Sequence, residues 1–292
     1  MARKAGSQYG FRGAQWGGMD VYELEDIAVS IASEAADLIR SSRSELGDVS
    51  VGMRVKSSTV DPVTIVDEAA EAFIAERLAA LRPLDGLLGE EGHSRESESG
   101  VQWCVDPIDG TVNFLYGLPA YAVSIAAVLD GQAVAGAVVQ VPCGTVYAAS
   151  QGHGAWRQRV GSGREALWVS AASDIHQCLV ATGFAYTKQR RKQQAALLAK
   201  ILPEIRDIRR LGSAALDLCM LAAGEVDAYY EHGLNPWDFL AGSLIAAEAG
   251  AVVSQPLIDV PASEGRPVRA ATPAVAQAFF QLVDDGPMPV RL

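Results

Sequence analysis

An α+β layered domain is the fold class that this sequence predicts, and three observations carry it. Apolar residues repeat at helical spacing in several separated segments. Short β-rich runs lie between them, two of which flank an Asp130-Gly131 pair. No stretch is long enough to cross a bilayer, because the longest apolar run, Ala120 to Leu129, is about half of what a span needs. Hairpins alternating with helices favour helices stacked on antiparallel or mixed sheets.

The elements follow in chain order. Residues 1–19 are basic and Gly-rich without an apolar core, so they read as a flexible tail and not as a secretion signal. Residues 20–292 read as one domain. Asp20 and Glu23 form an N-cap pattern ahead of Leu24, Ile27, Ile31, Ala35 and Leu38, which predicts a helix over 20–40. A polar stretch over 41–59 leads to a second helix over 66–81, stopped by Pro83. A short strand is expected at 102–105. Asp130-Gly131 predicts a hairpin between strands at 123–129 and 133–141. Further strands are expected at 145–149, 179–182 and 227–231, and helices at 189–202, 213–223, 237–249 and 273–283.

The chain has 292 residues, 49% of them hydrophobic, and a formal net charge of −11. That composition excludes disorder, and the charge argues against nucleic acid or an anionic membrane as a general partner. A phosphate substrate remains compatible if a metal ion supplies local positive charge. The four cysteines form no C-x-x-C pair, which fits a reduced, cytoplasmic protein with cysteines as core filler. His93, His153, His176 and His232 have no metal-ligand spacing and read as surface or loop residues.

Chemistry concentrates in Trp103-Cys-Val-Asp106-Pro-Ile-Asp109-Gly-Thr111-Val-Asn-Phe114. A short strand delivers two carboxylates, three positions apart, into a turn enforced by Pro107 and Gly110. A helix opening at Thr111 adds backbone N–H groups beside them. Such a set suits a hard divalent cation together with a phosphate; a turn with an Asx cap is the plainer reading. Glu90-Glu91 ends an apolar strand at Leu87-Leu88-Gly89, either as ligands or as a solvated exit. Asp238 follows Pro236-Trp237 at a helix start, where an acid also complements the dipole. Asp67 closes a capping box from Thr64.

Taken together these segments resemble the inositol monophosphatase family of magnesium-dependent, lithium-sensitive phosphatases. The motifs are Lys56-Ser-Ser with Asp61-Pro-Val-Thr64-Ile-Val-Asp67, Gly89-Glu90-Glu91, Asp106-Pro-Ile-Asp109-Gly-Thr111-Val-Asn-Phe114, and Gly212-Ser-Ala-Ala through Glu231 to Trp237-Asp238. The resemblance implies a layered α/β/α/β/α sugar-phosphatase fold, a homodimer, and hydrolysis of myo-inositol monophosphate by in-line attack of a metal-activated water. It implies two Mg²⁺ ions, with a third, weaker one beside Glu90. Glu90, Asp106 and the Ile108 carbonyl match ligands of the first ion, and Asp106, Asp109 and Asp238 those of the second. Asp67 and Thr111 match the pair that orients and deprotonates the water, with Glu90 at the same catalytic centre. Backbone N–H groups of Gly110 and Thr111, beside Asp109, match the phosphate site. Gly212, Ser213, Ala214 and Glu231 match the polyol side, and Lys56 and Glu91 hold supporting positions.

Glu231 accepting hydrogen bonds from vicinal hydroxyls favours inositol monophosphate; a solvating charge at a strand end is the plain alternative. Histidinol phosphate, fructose 1,6-bisphosphate and 3′-phosphoadenosine phosphate are the rival substrates. A regulatory or binding protein on the same fold is the rival from another class. Three features depart from the family pattern, the first being the tail over 1–19, longer than the family core needs. The basic run 188–192 reads as a solvated helix start, and Phe239-Leu240, where relatives carry smaller residues, narrows the pocket.

Overall fold

The computed structural model describes residues 20–46, 62–284 and 286–290. Lys56 and Asp61 therefore lie outside the described residues, as does the 1–19 segment. Two long helices open the fold, α1 (Val21–Leu46) and α2 (Pro62–Leu81). Asp20 caps the first, its Oδ1 accepting from the Tyr22 N–H at 2.9 Å. α1 runs on through residues 41–46, so the expected polar stretch begins inside a helix. α2 begins at Pro62, before Thr64, so Thr64 does not stand at the expected N-cap position.

Eight strands form the first sheet. They are β1 (Gly86–Gly89), β2 (Ser94–Arg95), β3 (Gln102–Asp109), β4 (Ala122–Leu129), β5 (Gln132–Gln140), β6 (Thr145–Ser150), β7 (Ala155–Gln158) and β8 (Glu165–Ala166). Their order is β2-β1-β3-β4-β5-β6-β7-β8, and only β1 with β3 is parallel. The β4–β5 hairpin turns on Asp130 (φ 50°) and Gly131 (φ 75°), both left-handed as a two-residue turn of this hand requires. A helix α3 (Thr111–Tyr116) leaves the end of β3.

The second sheet holds β9 (Leu179–Thr182), β10 (Asp207–Arg209), β11 (Ala228–His232), β12 (Val252–Ser254) and β13 (Pro267–Ala271), in the order β10-β9-β11-β13-β12. The helices α4 (Lys188–Ile201), α5 (Ala214–Ala222), α6 (Pro236–Glu248) and α7 (Pro273–Leu282) complete the chain.

Three apolar cores separate five layers. α1 and α2 cover one face of the first sheet through Leu24, Ile31, Ile74, Trp103, Val105 and Ile125. α5 and α6 fill the space between the sheets with Cys104, Ala126, Leu218, Phe239 and Ile245. α4 and α7 close the outer face of the second sheet over Val180, Leu197, Tyr230 and Phe279. This is the expected α/β/α/β/α layering. Buried on both faces, β4 (AVSIAAVL) and β5 (QAVAGAVVQ) carry nearly continuous apolar runs instead of an alternating pattern.

Sequence reading misses β2, β7, β8, β10, β12 and β13, which are short or partly exposed strands. Several side chains also differ from expectation. His232 is 1% exposed inside β11, and Arg190 of the basic run is 5% exposed. Phe239 and Leu240 fill the middle core and do not narrow a pocket. Cys104, Cys178 and Cys219 are buried as core filler, whereas Cys143 is exposed. Among the described residues no helix is long and apolar enough to cross a membrane.

Close approach of α5 and α6 depends on Gly242. A Cβ there would lie 2.9 Å from Leu218 Cβ and 3.2 Å from the Ala215 carbonyl. Gly242→Val is expected to destabilise the fold by about 1–3 kcal/mol through overpacking. A urea midpoint unchanged from wild type overturns this packing argument.

Candidate active site

The acidic segment owes its geometry to a bulge. Asp106 pairs with Ser124 across β3 and β4, but Asp109 pairs with Ala122, so β3 carries one extra residue. Side chains alternate along a strand, and residues three apart normally face opposite ways. Trp103 and Val105 face the outer core, and Cys104 the middle one. Past the bulge the parity is reversed: Ile108 faces the outer core while Asp109 reaches α5. Asp106 and Asp109 thus share one face. Pro107 sits in the bulge, where its missing N–H costs no ladder hydrogen bond. The strand therefore extends to Asp109, beyond the expected end at Val105.

Helix starts meet these acids. Ser213, the N-cap of α5, donates its Oγ to Asp109 Oδ2 at 2.6 Å, and the Ala215 N–H donates to the same oxygen at 2.7 Å. Asp238, in the first turn of α6, accepts from the Asn235 N–H at 2.7 Å, so the cap reading of this residue holds. Ser124 Oγ donates to the Trp237 carbonyl at 3.1 Å, tying that turn to the strand opposite Asp106.

Asp106 and Asp109 are buried, 1% and 8% exposed, and Glu90 stands at the solvent-facing rim just beyond β1. Burial, then the charges of Glu90, Asp109 and Asp238, hold the Asp106 carboxyl well above the usual range. Asp238 is raised by burial and by Asp109 and Glu90. Loss of solvation pushes Glu90 up to about 7, with further repulsion from Glu91, Asp109 and Glu71. Asp109 rises to about 6 through burial, against the pull of the Ser213 hydroxyl and the α5 amides.

Glu71, which the sequence reading passes over, holds the rim. This buried α2 carboxylate accepts from the Glu91 and His93 N–H groups at 2.8 and 2.9 Å and lies 3.0 Å from His93 Nδ1. Gly89 makes room for it, since a Cβ there would lie 2.4 Å from the Glu71 carboxyl carbon. Burial and the charges of Glu71 and Glu68 raise the Glu91 carboxyl. Asp67 is buried on α2, which packs against β3 and α3.

Gly110 (φ 100°) turns the chain from β3 into α3, and a Cβ there would lie 2.8 Å from the Ala120 carbonyl. The Thr111 hydroxyl donates to the Ile108 carbonyl at 3.2 Å. Asn113, part of the quoted motif but given no role of its own there, donates to the carbonyls of Ala120 (2.6 Å) and Leu211 (2.8 Å), joining α3 to the segment that ends in Gly212. Ala214, 6% exposed, opens α5 directly after Ser213. Glu231 leaves β11 against Gly183, where a Cβ would meet its carboxylate at 2.0 Å. Tyr229 OH donates to Glu231 Oε2 at 3.0 Å, while burial pushes the carboxyl up to about 7.

Among the described residues no three His, Cys, Asp or Glu side chains stand ready-made around a metal ion. The donor chemistry nonetheless suits one. Asp106 Oδ1 is buried without a hydrogen-bond partner, and the surrounding donors are oxygens whose charges repel one another. A hard divalent cation answers both conditions.

The comparisons with known proteins agree with the geometry. Residues 20–281 match the model of the inositol monophosphatase family. An inositol-1-monophosphatase of Mycobacterium leprae is 49% identical over 272 residues, covering 89% of this chain and 93% of the relative. The solved structure of Mycobacterium tuberculosis SuhB is 46% identical with a TM-score of 0.79, covering 90% of this chain and 96% of that one. The Nus factor SuhB of Escherichia coli is 37% identical over 236 residues, 80% of this chain and 85% of its own.

One buried acid lies behind the site without a partner. Asp217 of α5 is 0% exposed, and neither carboxylate oxygen has a hydrogen bond. Burial, then Glu231 and Asp109, raise its carboxyl well above the usual range. A folded-state value above the unfolded one means stability that is full at low pH and lost as pH rises through the folded value. Asp217→Asn is therefore expected to raise the melting temperature by a few degrees near pH 8 and to lose that advantage near about pH 4. A constant difference across the range contradicts the buried-charge explanation.

Proposed function

The chain belongs to the inositol monophosphatase family, and on that premise we propose that it is a Mg²⁺-dependent phosphatase of myo-inositol monophosphate. The observation that carries the proposal is the crowding of Asp106, Asp109, Asp238 and Glu90 beside two helix starts, with Asp106 Oδ1 lacking a partner. We assign Glu90, Asp106, the Ile108 carbonyl, Asp109 and Asp238 as the groups that hold two Mg²⁺ ions, with a third, weaker ion beside Glu90. Bound there, Mg²⁺ supplies neutralisation of the phosphate dianion, acidification of water and stabilisation of the departing alkoxide.

The chain's own groups do the rest. Asp67 and Thr111 orient the attacking water in line with the leaving oxygen, and the Asp67 carboxylate takes its proton. Backbone N–H groups of Gly110 and Thr111 hold the phosphate oxygens, as amides beyond a left-handed glycine at a helix start are aimed to do. Gly212, Ser213 and Ala214 line the leaving-group side, where the Glu231 carboxylate accepts from ring hydroxyls. Its position against Gly183 supports that assignment, because any side chain at 183 would collide with the carboxylate. A substrate without hydroxyls leaves Glu231 unpaired and is penalised. Glu91 supports the rim through the hydrogen bond that its backbone N–H donates to the Glu71 carboxylate. We retain the reading of a cytoplasmic homodimer with one catalytic domain over 20–292.

Phosphate release with Mg²⁺ and with EDTA tests the reading on inositol 1-phosphate, histidinol phosphate, fructose 1,6-bisphosphate and 3′-phosphoadenosine phosphate. Magnesium-dependent turnover is expected to be fastest on inositol 1-phosphate. A preference for another member keeps the metal chemistry and removes the Glu231 argument. Silence on all four from folded protein favours a regulatory role, the kind suggested by the name Nus factor of the Escherichia coli relative.

Two substitutions separate the assigned roles. Asp106→Asn is expected to cut turnover at least about 100-fold, since it removes the carboxylate at the centre of the cluster. Activity above a tenth of wild type refutes the metal assignment. Glu231→Gln is expected to raise KM for inositol 1-phosphate more than for p-nitrophenyl phosphate, and equal effects on both refute the hydroxyl contact.

A further inference from the structure

A buried cation stands behind the turn that joins Glu231 to Asp238. Arg190, in the first turn of α4, is 5% exposed and has no carboxylate partner among the described residues. Its guanidinium is satisfied by main-chain carbonyls from three separate segments. Nε donates to Met288 at 2.9 Å, Nη2 to Ala262 at 2.8 Å and to Ser263 at 3.0 Å, and Nη1 reaches Gly233 at 3.5 Å. Burial without a counter-charge makes the cation costly, and its position is therefore fixed by where those carbonyls lie.

Two glycines let these segments approach closely. Gly233 has φ 74°, and a Cβ on it would sit 1.9 Å from Arg190 Nη1 and 3.0 Å from the Ala262 carbonyl. Gly265 would place a Cβ 2.0 Å from the Met288 carbonyl oxygen. The C-terminal segment is further pinned by Met288 N–H to the Gly265 carbonyl and Val290 N–H to the Ser263 carbonyl, both 2.9 Å. Gly233 N–H in turn donates to the Arg266 carbonyl at 3.1 Å. One side of the turn 233–235 is therefore clamped by Arg190 and the 262–266 segment. Its other side carries the Asn235 N–H that holds Asp238, and Glu231 lies two residues before it.

We propose that Arg190 and the segment at Met288 form a brace that positions the Glu231–Asp238 turn, making Arg190 a positioning residue that touches neither substrate nor metal. Lysine cannot replace it, because one ammonium lacks the planar fork that spans three segments. The catalytic consequence rests on the function proposed above; the structural one does not.

The test compares wild type with Arg190→Lys and with a chain lacking residues 288–292. Hydrogen exchange read by mass spectrometry reports on the brace without requiring activity. Both variants are expected to exchange faster in peptides covering 231–238 and 262–266, with 122–140 unchanged. The Mg²⁺ concentration for half-maximal activation is expected to rise about tenfold, with KM for inositol 1-phosphate rising alongside it. Faster exchange confined to 262–266, or spread evenly over the chain, overturns the brace. A fall in kcat alone, tracking the folded fraction, leaves Arg190 a purely structural residue and also overturns it. Exchange confined to the two peptides in a chain inactive on every phosphate ester preserves the brace and defeats the phosphatase reading.

Discussion

Like charges packed out of water are the constraint around which this molecule is built. Glu90, Asp109 and Asp238 lie close enough to Asp106 that each raises its proton affinity, and burial strengthens the effect. Such a cluster persists in a folded chain only if its members are held against their repulsion. The holding groups are backbone amides: Ala215 N–H for Asp109 and Asn235 N–H for Asp238. Both belong to helix starts, where unsatisfied donors and the dipole favour negative charge. α5 and α6 therefore act as more than core filler between the sheets.

The layered architecture follows from delivering these groups to one place. The strand bearing Asp106 and Asp109 lies inside the first sheet, flanked by β1 and β4. The helices bearing Ser213 and Asp238 lie between the two sheets, and Glu231 comes from the second. Close contact between these layers needs small residues, and Gly136 and Gly242 supply it. A Cβ on Gly136 would lie 3.3 Å from Ala241 Cβ, so α6 rests almost directly on β5. Rigid packing of this kind fixes ligand positions far better than loops do.

Two further buried charges support the site from behind, and they follow one rule. Glu71 accepts from main-chain amides at the Glu90–His93 rim, and Arg190 donates to main-chain carbonyls beyond Glu231. Each binds backbone, so each fixes the path of a loop whatever side chains that loop carries. Glycines at 89 and 233 admit the charged groups. Asp217 breaks the rule, since it is buried without any hydrogen-bond partner.

Much of this was legible in the amino-acid sequence because it is local. Asp130-Gly131 specifies its hairpin through two left-handed residues. Helical periodicity locates α1 and α5 to α7, and the identities of the acids announce their chemistry. The convergence of those acids was implied by the family resemblance and not by their spacing. Spacing alone places Asp106 and Asp109 on opposite faces of a strand, and only pairing with β4 inserts the residue that brings them together. Nor did the basic run disclose a buried Arg190, or four scattered histidines a buried His232, because burial depends on which distant segment packs there. β13 was missed although it sits between β11 and β12, since Pro267–Ala271 acquires its strand character from those neighbours. The sequence alone thus determined turn chemistry, helical faces and the supply of carboxylates. Tertiary structure decided parity, burial and partnership, because those depend on contacts between residues far apart in the chain.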